Sequence, residues 1–362
     1  MKLSSYASII GFYMMVMTPA LAAPVIERIG APLAHPWGMD FLDDSHILVT
    51  ERGGDIYKIN LSDGTREAIT GLPQITARRQ GGLLDVAVLA QDDSQPSVFL
   101  CYSKPVGGGS VTAIDKAQLA GTTLTNRKTI FAANQTSGKA IHYGCRLVLD
   151  DGYIYASLGE RGARHDAQDP SLHAGSIIRL HDDGRIPHDN PKPSGWAAEI
   201  LSIGHRNPQG MAIHPRTGKL WAHEHGPRGG DEINIISAGA NYGWPKVSHG
   251  KEYIGGSIGI GTSAPGFADP AWVWTPSIAP SGMAFYQGTM FPQFDGHLLV
   301  GSLKFERLYL LQITDGLPQA EAIILEDSIG RVRDVAVAAD GSILLLSDET
   351  DGGLYRLSEA GQ

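Results

Sequence analysis

Apolar and polar positions fall in short runs along this chain, and the runs recur six times in one order. Each copy reads as a short apolar strand, a turn built on Asp or Gly, a second apolar strand, a loop and a third strand. Copy one spans 37–44 (WGMDFLDD), 46–50 (HILVT) and 55–59 (DIYKI). Copies two to four span 82–89, 98–102 and 111–117; 145–152, 153–158 and 176–180; and 210–218, 219–223 and 232–236. Copies five and six span 282–288, 297–302 and 308–313, then 333–341, 343–348 and 353–357. The runs are rich in Val, Ile, Leu and Tyr and are punctuated by Gly, Asp and Pro, as strands and their turns require. No helical period of comparable length interrupts them.

Repetition at roughly 40–50 residues predicts propeller blades, small antiparallel sheets set around a channel. The fold class is therefore all-β, a six-bladed β-propeller. Two stretches, 160–206 and 237–281, exceed the spacing and are read as long loops on one face. The sixth copy has room for only three strands before Gln362. Residues 25–29 (VIERI) have strand composition and are predicted to supply its outer strand. That closes the ring and removes an unpaired sheet edge. One domain then covers 23–362, with no linker to divide it.

Residues 1–22 read differently. A lysine, an apolar run from Ile9 to Val16 and the exit Ala20-Leu21-Ala22 make a cleavable secretory signal. The run is short for a spanning helix. The expectation is an exported, periplasmic or secreted protein with no membrane insertion. A net charge of −9 gives no general attraction to nucleic acid. The 45 glycines and 21 prolines suit a chain with many turns. The two cysteines, Cys101 and Cys145, lie on inner strands of adjacent copies. They leave two readings open, a disulfide in an oxidising compartment or two buried thiols.

In a propeller the residues just before each first strand meet at one mouth. Here those positions hold His35, Arg79-Gln80, His142, His205-Arg206-Asn207, Ser281 and Arg331-Val332-Arg333. The loops after the second strands open onto the same mouth and bring Glu160, the run from Glu224 to Arg228, and Lys304. Four cations, Arg206, Lys304, Arg331 and Arg333, thus gather at one end of an acidic chain. A small ligand with several carboxylates or phosphates would neutralise them. The competing account pairs each with a nearby acid such as Asp334 or Glu306. His142 is the candidate general base, with Glu160 to orient it. In 223–234 (HEHGPRGGDEIN), backbone carbonyls beside Pro227 with Asp231 and Glu232 would suit a hard cation such as calcium. Its histidines are two apart, not four apart on a helix, so this is no zinc motif. Nucleophile-elbow, phosphate-loop and dinucleotide fingerprints are absent.

The strings HYGCRLVLD, IPHDNP, GHRNPQGMA, EHGPRGGDEIN, NYGWP and GRVRDV, in this order, resemble the soluble aldose sugar dehydrogenases. These are quinoproteins related to soluble glucose dehydrogenase, six-bladed propellers that use pyrroloquinoline quinone (PQQ) and calcium. The resemblance implies oxidation of aldoses at C1 to lactones by hydride transfer to PQQ, with His142 as base and Glu160 holding it. Arg206 would stabilise charge on the quinone. Gln80, Asn207, Tyr253, Lys304, Arg331 and Arg333 would hold the cofactor. The carbonyls of Gly226 and Pro227 would ligate calcium, and Glu232 and Tyr242 a second, structural ion. It further implies a sugar substrate, with a monomer favoured. The electron acceptor stays open between a quinone, a cytochrome and an artificial dye. Cys145 departs from the pattern, since the family usually has a small residue there, so a sulfur follows the base closely. The chain also lacks the long inserted loops of the glucose-specific enzymes, which implies a broader, more open site. Two other readings compete: a calcium-dependent lactonase and a non-enzymatic ligand-binding propeller. The lactonase would need carboxylates and an Asn on a channel metal. The binding module would not need a histidine base among cations.

Overall fold

The computed structural model describes residues 24–90 and 95–360. The predicted secretory signal lies outside them. Six four-stranded antiparallel sheets form the blades. Their inner strands are Pro36–Asp43, Leu83–Leu89, Gly144–Asp150, Pro208–Ile213, Pro280–Phe285 and Val332–Val337. Each inner strand contacts the next around the ring, and the last contacts the first. Two 3-10 turns, Arg164–Gln168 and Pro292–Phe294, are the helical elements among the described residues. No helix there is long and apolar enough to cross a membrane.

The ring closes as predicted. Val25–Leu33 pairs antiparallel with Gly352–Ser358, Val25 opposite Ser358 and Ile29 opposite Leu354. Ile29 and Leu33 are buried against the final blade. One prediction fails: the surplus in 160–206 is not all at one face. That stretch holds the expected third strand, Ser176–His181, and a fourth that was not expected, Ile200–Ile203. Ser176 pairs with Leu158 at the mouth and His181 with Tyr153 at the far end. Residues 182–199 therefore connect at the end opposite the mouth.

Polar side chains lock blade to blade along the channel. Asp40 accepts from the Val88 amide, Asp85 from Leu147 and Asp334 from Met39, each on a neighbouring inner strand. Arg146 sits between Asp85 and Asp334 at 3.0 Å from each. Hydroxyls at the ends of second strands do the same work: Thr50 donates to the Leu84 carbonyl and Ser157 to that of Pro208. Buried groups satisfied in this way fix the relative height of the inner strands. They thereby fix which residues reach the mouth together.

Candidate active site at the mouth of the propeller

Each inner strand is entered through a residue in the left-handed region: His35, Arg79, His142, Gly204, Ala279 or Gly330, with φ between 49° and 80°. Ordinary side chains seldom adopt that conformation, and when held there they concentrate at functional sites. The kink turns the chain over the mouth before it descends the channel. In the third blade, Gly144 and Cys145 are also left-handed, at 64° and 78°.

His142 Nδ1 lies 2.8 Å from Glu160 Oε1, and both side chains are largely buried. A carboxylate at Nδ1 selects the tautomer that donates there and leaves the Nε2 lone pair free. Nε2 has no partner among the described hydrogen bonds. The His142 amide donates to Gln80 Oε1 at 2.7 Å. Burial, with help from the nearby Arg206 charge, holds the imidazole below its ordinary pKa, while Glu160 opposes this. Burial opposes ionisation of Glu160, but His142 and Arg206 outweigh it and hold the carboxyl below its usual range. At neutral pH the pair is a neutral imidazole against a carboxylate. Gly159 permits the approach, because a Cβ there would come 2.1 Å from the His142 carbonyl oxygen.

Arg206 is anchored from behind. Its amide donates to Glu224, which also pairs with His205 at 2.8 Å. His205 in turn meets Ser202 and stacks on Tyr242. The Arg206 guanidinium donates to the His225 carbonyl and reaches the Tyr253 hydroxyl at 3.4 Å. It forms no ion pair with a carboxylate among the described residues. Tyr253 is an exposed lip, 66% accessible. Asn207 accepts from the Gly144 amide, beside His142.

A polar cavity of about 190 Å³ opens at the mouth, lined by Trp37, Gln80, Asn207, Arg331 and Arg333 among others. His142, Glu160 and Arg206 stand beside it rather than in its lining. The sequence expectation of four uncompensated cations needs correction. Arg333 is buried on Asp348 at 2.5 Å, with Arg331 at 4.0 Å and Arg52 at 3.5 Å from the same carboxylate. The suggested partners are not used: Asp334 is taken by Arg146. Lys304 is exposed, its ammonium 4.8 Å from the Phe305 ring centroid rather than in the wall. Asp348 and Arg52 were missed from sequence. Both immediately follow the second strands of their blades, His46–Glu51 and Ile343–Ser347, close to the position that singled out Glu160, so the same rule places them at the mouth.

The cation-site residues divide. Asp231 is a brace, not a ligand candidate: its oxygens accept from the Gly226 and Ala279 amides and from Ser277. The Pro227 carbonyl accepts from the Lys251 amide. Glycines 226, 229, 230 and 250 let the carbonyls of Pro227, Gly229 and Gly230 crowd together, since a Cβ at Gly226 or Gly250 would strike them. Gly226, Glu224, Glu232 and Tyr242 line a second, narrow pocket. There burial, then the neighbouring Glu224, pushes Glu232 well above the usual carboxyl range. Glu232 lies opposite Glu224 across the strand pair. Glu224 is shared with His205, Glu232 has no ion-pair partner among the described residues, and the two carboxyls beside a knot of carbonyls form a donor set suited to a hard cation. The Tyr242 hydroxyl is itself engaged with Ile235 and Ser237. Among the described residues no three His, Cys, Asp or Glu side chains form a metal cluster. The cysteines resolve to a disulfide, Cys101–Cys145, joining the second strand of blade two to the inner strand of blade three. The disulfide lies in the core, where both residues are fully buried.

Residues 33–356 match the Glucose / Sorbosone dehydrogenase family. The chain is 41% identical over 350 residues to the aldose sugar dehydrogenase YliI of Escherichia coli, covering 93% of this chain and 94% of that protein. The crystal structure of the Escherichia coli soluble aldose sugar dehydrogenase in its apo-form superposes with a TM-score of 0.88 at 39% identity, covering 93% of this chain and 99% of that one. The PQQ-bound aldose sugar dehydrogenase of Streptomyces coelicolor gives 0.77 at 26% identity, covering 94% and 99%. With nearly the whole propeller matched in sequence and in shape, this chain belongs to the glucose/sorbosone dehydrogenase family.

Proposed function

We propose that this protein is a PQQ- and calcium-dependent dehydrogenase that oxidises aldoses at C1 to lactones outside the cytoplasm. One observation carries the reading: a neutral histidine, oriented by a buried carboxylate, stands beside a cavity walled by guanidiniums. A base with its free nitrogen at an anion pocket is what removal of a hydroxyl proton beside an anionic oxidant requires. When bound, PQQ supplies the two-electron acceptor for the hydride.

The residues fit such a ligand. Arg331 and Arg333 offer forked donors to carboxylates, and the Arg333 Nε proton is buried without a partner. Gln80 and Asn207 lend side chains from the same wall. Lys304 and Tyr253 stand at the rim, where a bound molecule would meet them. The crowded carbonyls at Gly226 and Pro227 would hold calcium, and Glu232 with the Tyr242 segment a second ion. His142 takes the proton of the C1 hydroxyl, and Glu160 stabilises the imidazolium that results. Arg206, its backbone held by Glu224 and its guanidinium in no ion pair among the described residues, provides fixed positive charge where negative charge grows. The open mouth beside Tyr253 admits more than one aldose.

The test is reconstitution. Purified mature apoprotein, given PQQ and calcium, should bleach a dye acceptor in the presence of aldoses, and omission of either should stop it. His142→Ala should lower kcat by about 10²–10⁴-fold while PQQ still binds. Absence of PQQ binding in the parent protein would sink the proposal.

A further inference from the structure

One carboxylate organises the whole cationic wall. Asp348 Oδ2 accepts from Arg333 Nη2 at 2.5 Å and lies 4.0 Å from Arg331 Nη2. Its Oδ1 accepts from His35 Nδ1 at 2.9 Å and lies 3.5 Å from Arg52 Nη1. Its amide donates to the Arg331 carbonyl at 2.8 Å, which ties the carboxylate to the backbone of one of its own partners. Burial opposes its ionisation, yet Arg333 and then Arg52 and His35 hold it far below the usual carboxyl range. It therefore stays charged at any working pH. Remaining contacts complete the fork: Arg331 donates to the Leu303 carbonyl, Arg333 to Gln209, and the Trp37 ring lies under Arg333. Three guanidiniums share this one carboxylate, so the wall keeps an excess of positive charge toward the cavity.

We propose that Asp348 is the positioning residue of this wall. It acts as an internal anion that sets three guanidiniums, Arg52 included, for a ligand with several separated carboxylates, and weakens the wall's hold on small inorganic anions. This rests on the reading of the cavity as the site of a polycarboxylate quinone. Coulomb attraction acts on any anion, whereas fork geometry rewards only a ligand whose carboxylates match it. Without Asp348 the three cations repel one another, and buried Arg333 loses its counterion. The wall then attracts anions more strongly but no longer presents a fixed pattern.

The ratio of two affinities separates these effects. Calorimetry on the apoprotein would measure PQQ and inorganic sulfate binding to the parent chain and to Asp348→Asn. Sulfate reads charge alone, while PQQ reads charge and geometry. Sulfate binding should strengthen in Asp348→Asn, and the PQQ-to-sulfate affinity ratio should fall by about tenfold or more. Asp348→Glu, which keeps the charge but moves it, should regain sulfate rejection and recover PQQ affinity only in part. Arg52→Gln, at a partly exposed side chain, should weaken PQQ several-fold with little change in thermal midpoint, and it carries the test if Asp348→Asn fails to fold. An unchanged ratio in Asp348→Asn, or unchanged PQQ affinity in Arg52→Gln, would overturn the assignment. A parent chain that binds sulfate but no PQQ would instead overturn the reading of the cavity.

Discussion

His142 and Glu160 are eighteen residues apart in sequence and 2.8 Å apart in the fold. Their dyad predicts a specific pH response. Burial holds His142 below its ordinary pKa and Glu160 partly restores it, so Glu160→Gln should lower the value further. The acid limb of kcat/KM then moves to lower pH, while kcat falls because the imidazole loses its orientation and the stabiliser of its protonated form. A pH–rate profile checks this; an acid limb that moves upward would mean Glu160 is not raising the base. At this scale the sequence was informative wherever a residue stood next to a strand boundary. His142, Glu160, Gln80 and Asn207 were all legible for that reason. Asp348 stands at such a boundary too, but its role was not legible, because it depends on a histidine and three arginines brought together by the fold. Lys304 was placed in the wall by its sequence position, but its flexible side chain lies instead against Phe305.

Strands supply the rigidity behind these groups, and the disulfide is the point where two blades are joined covalently. Cys145 follows His142 by three residues, and the bridge to Cys101 closes a loop with a sequence separation of 44. Chain entropy alone gives about 4 kcal/mol for a loop of this size. The double variant Cys101→Ala/Cys145→Ala should lose stability of that order in denaturant unfolding, with the midpoint shifting more than the slope. A loss below about 1 kcal/mol would show that the reduced chain is already ordered here. Inner and second strands were readable from alternation, but short outer strands were not. Ile200–Ile203 and Trp272–Trp274 have four and three residues. They are strands only because Ser176–His181 and Asp231–Ile235 offer them an edge. That is why the part of 160–206 beyond 176–180 read as a loop.

The ring as a whole buries histidines in neutral form. Burial lowers the pKa of His142, His173, His214, His223, His225 and His249. A base depressed in the folded state contributes stability above its unfolded value, which is lost as the pH falls through about 6.5. Asp40, pushed up to about 6 by burial, works in the opposite sense as the pH falls below that value, and Glu51, Asp85 and Glu232 are raised as well. With six depressed histidines against these four carboxyls, the apoprotein's thermal midpoint should fall between pH 7.5 and pH 5; a rise would show that the buried carboxylates dominate. Sequence alone determined the blade count, the closing strand and the residues that border each blade's mouth. Those follow from a local period of apolar positions and from turn chemistry repeated six times. Only the tertiary structure decided which residues touch: Asp348 on Arg333 at the mouth, Arg146 between Asp85 and Asp334 in the channel, Cys101 on Cys145 in the core. Such pairings depend on blade-to-blade register, which is set by buried hydrogen bonds between inner strands and leaves no periodic mark on the chain.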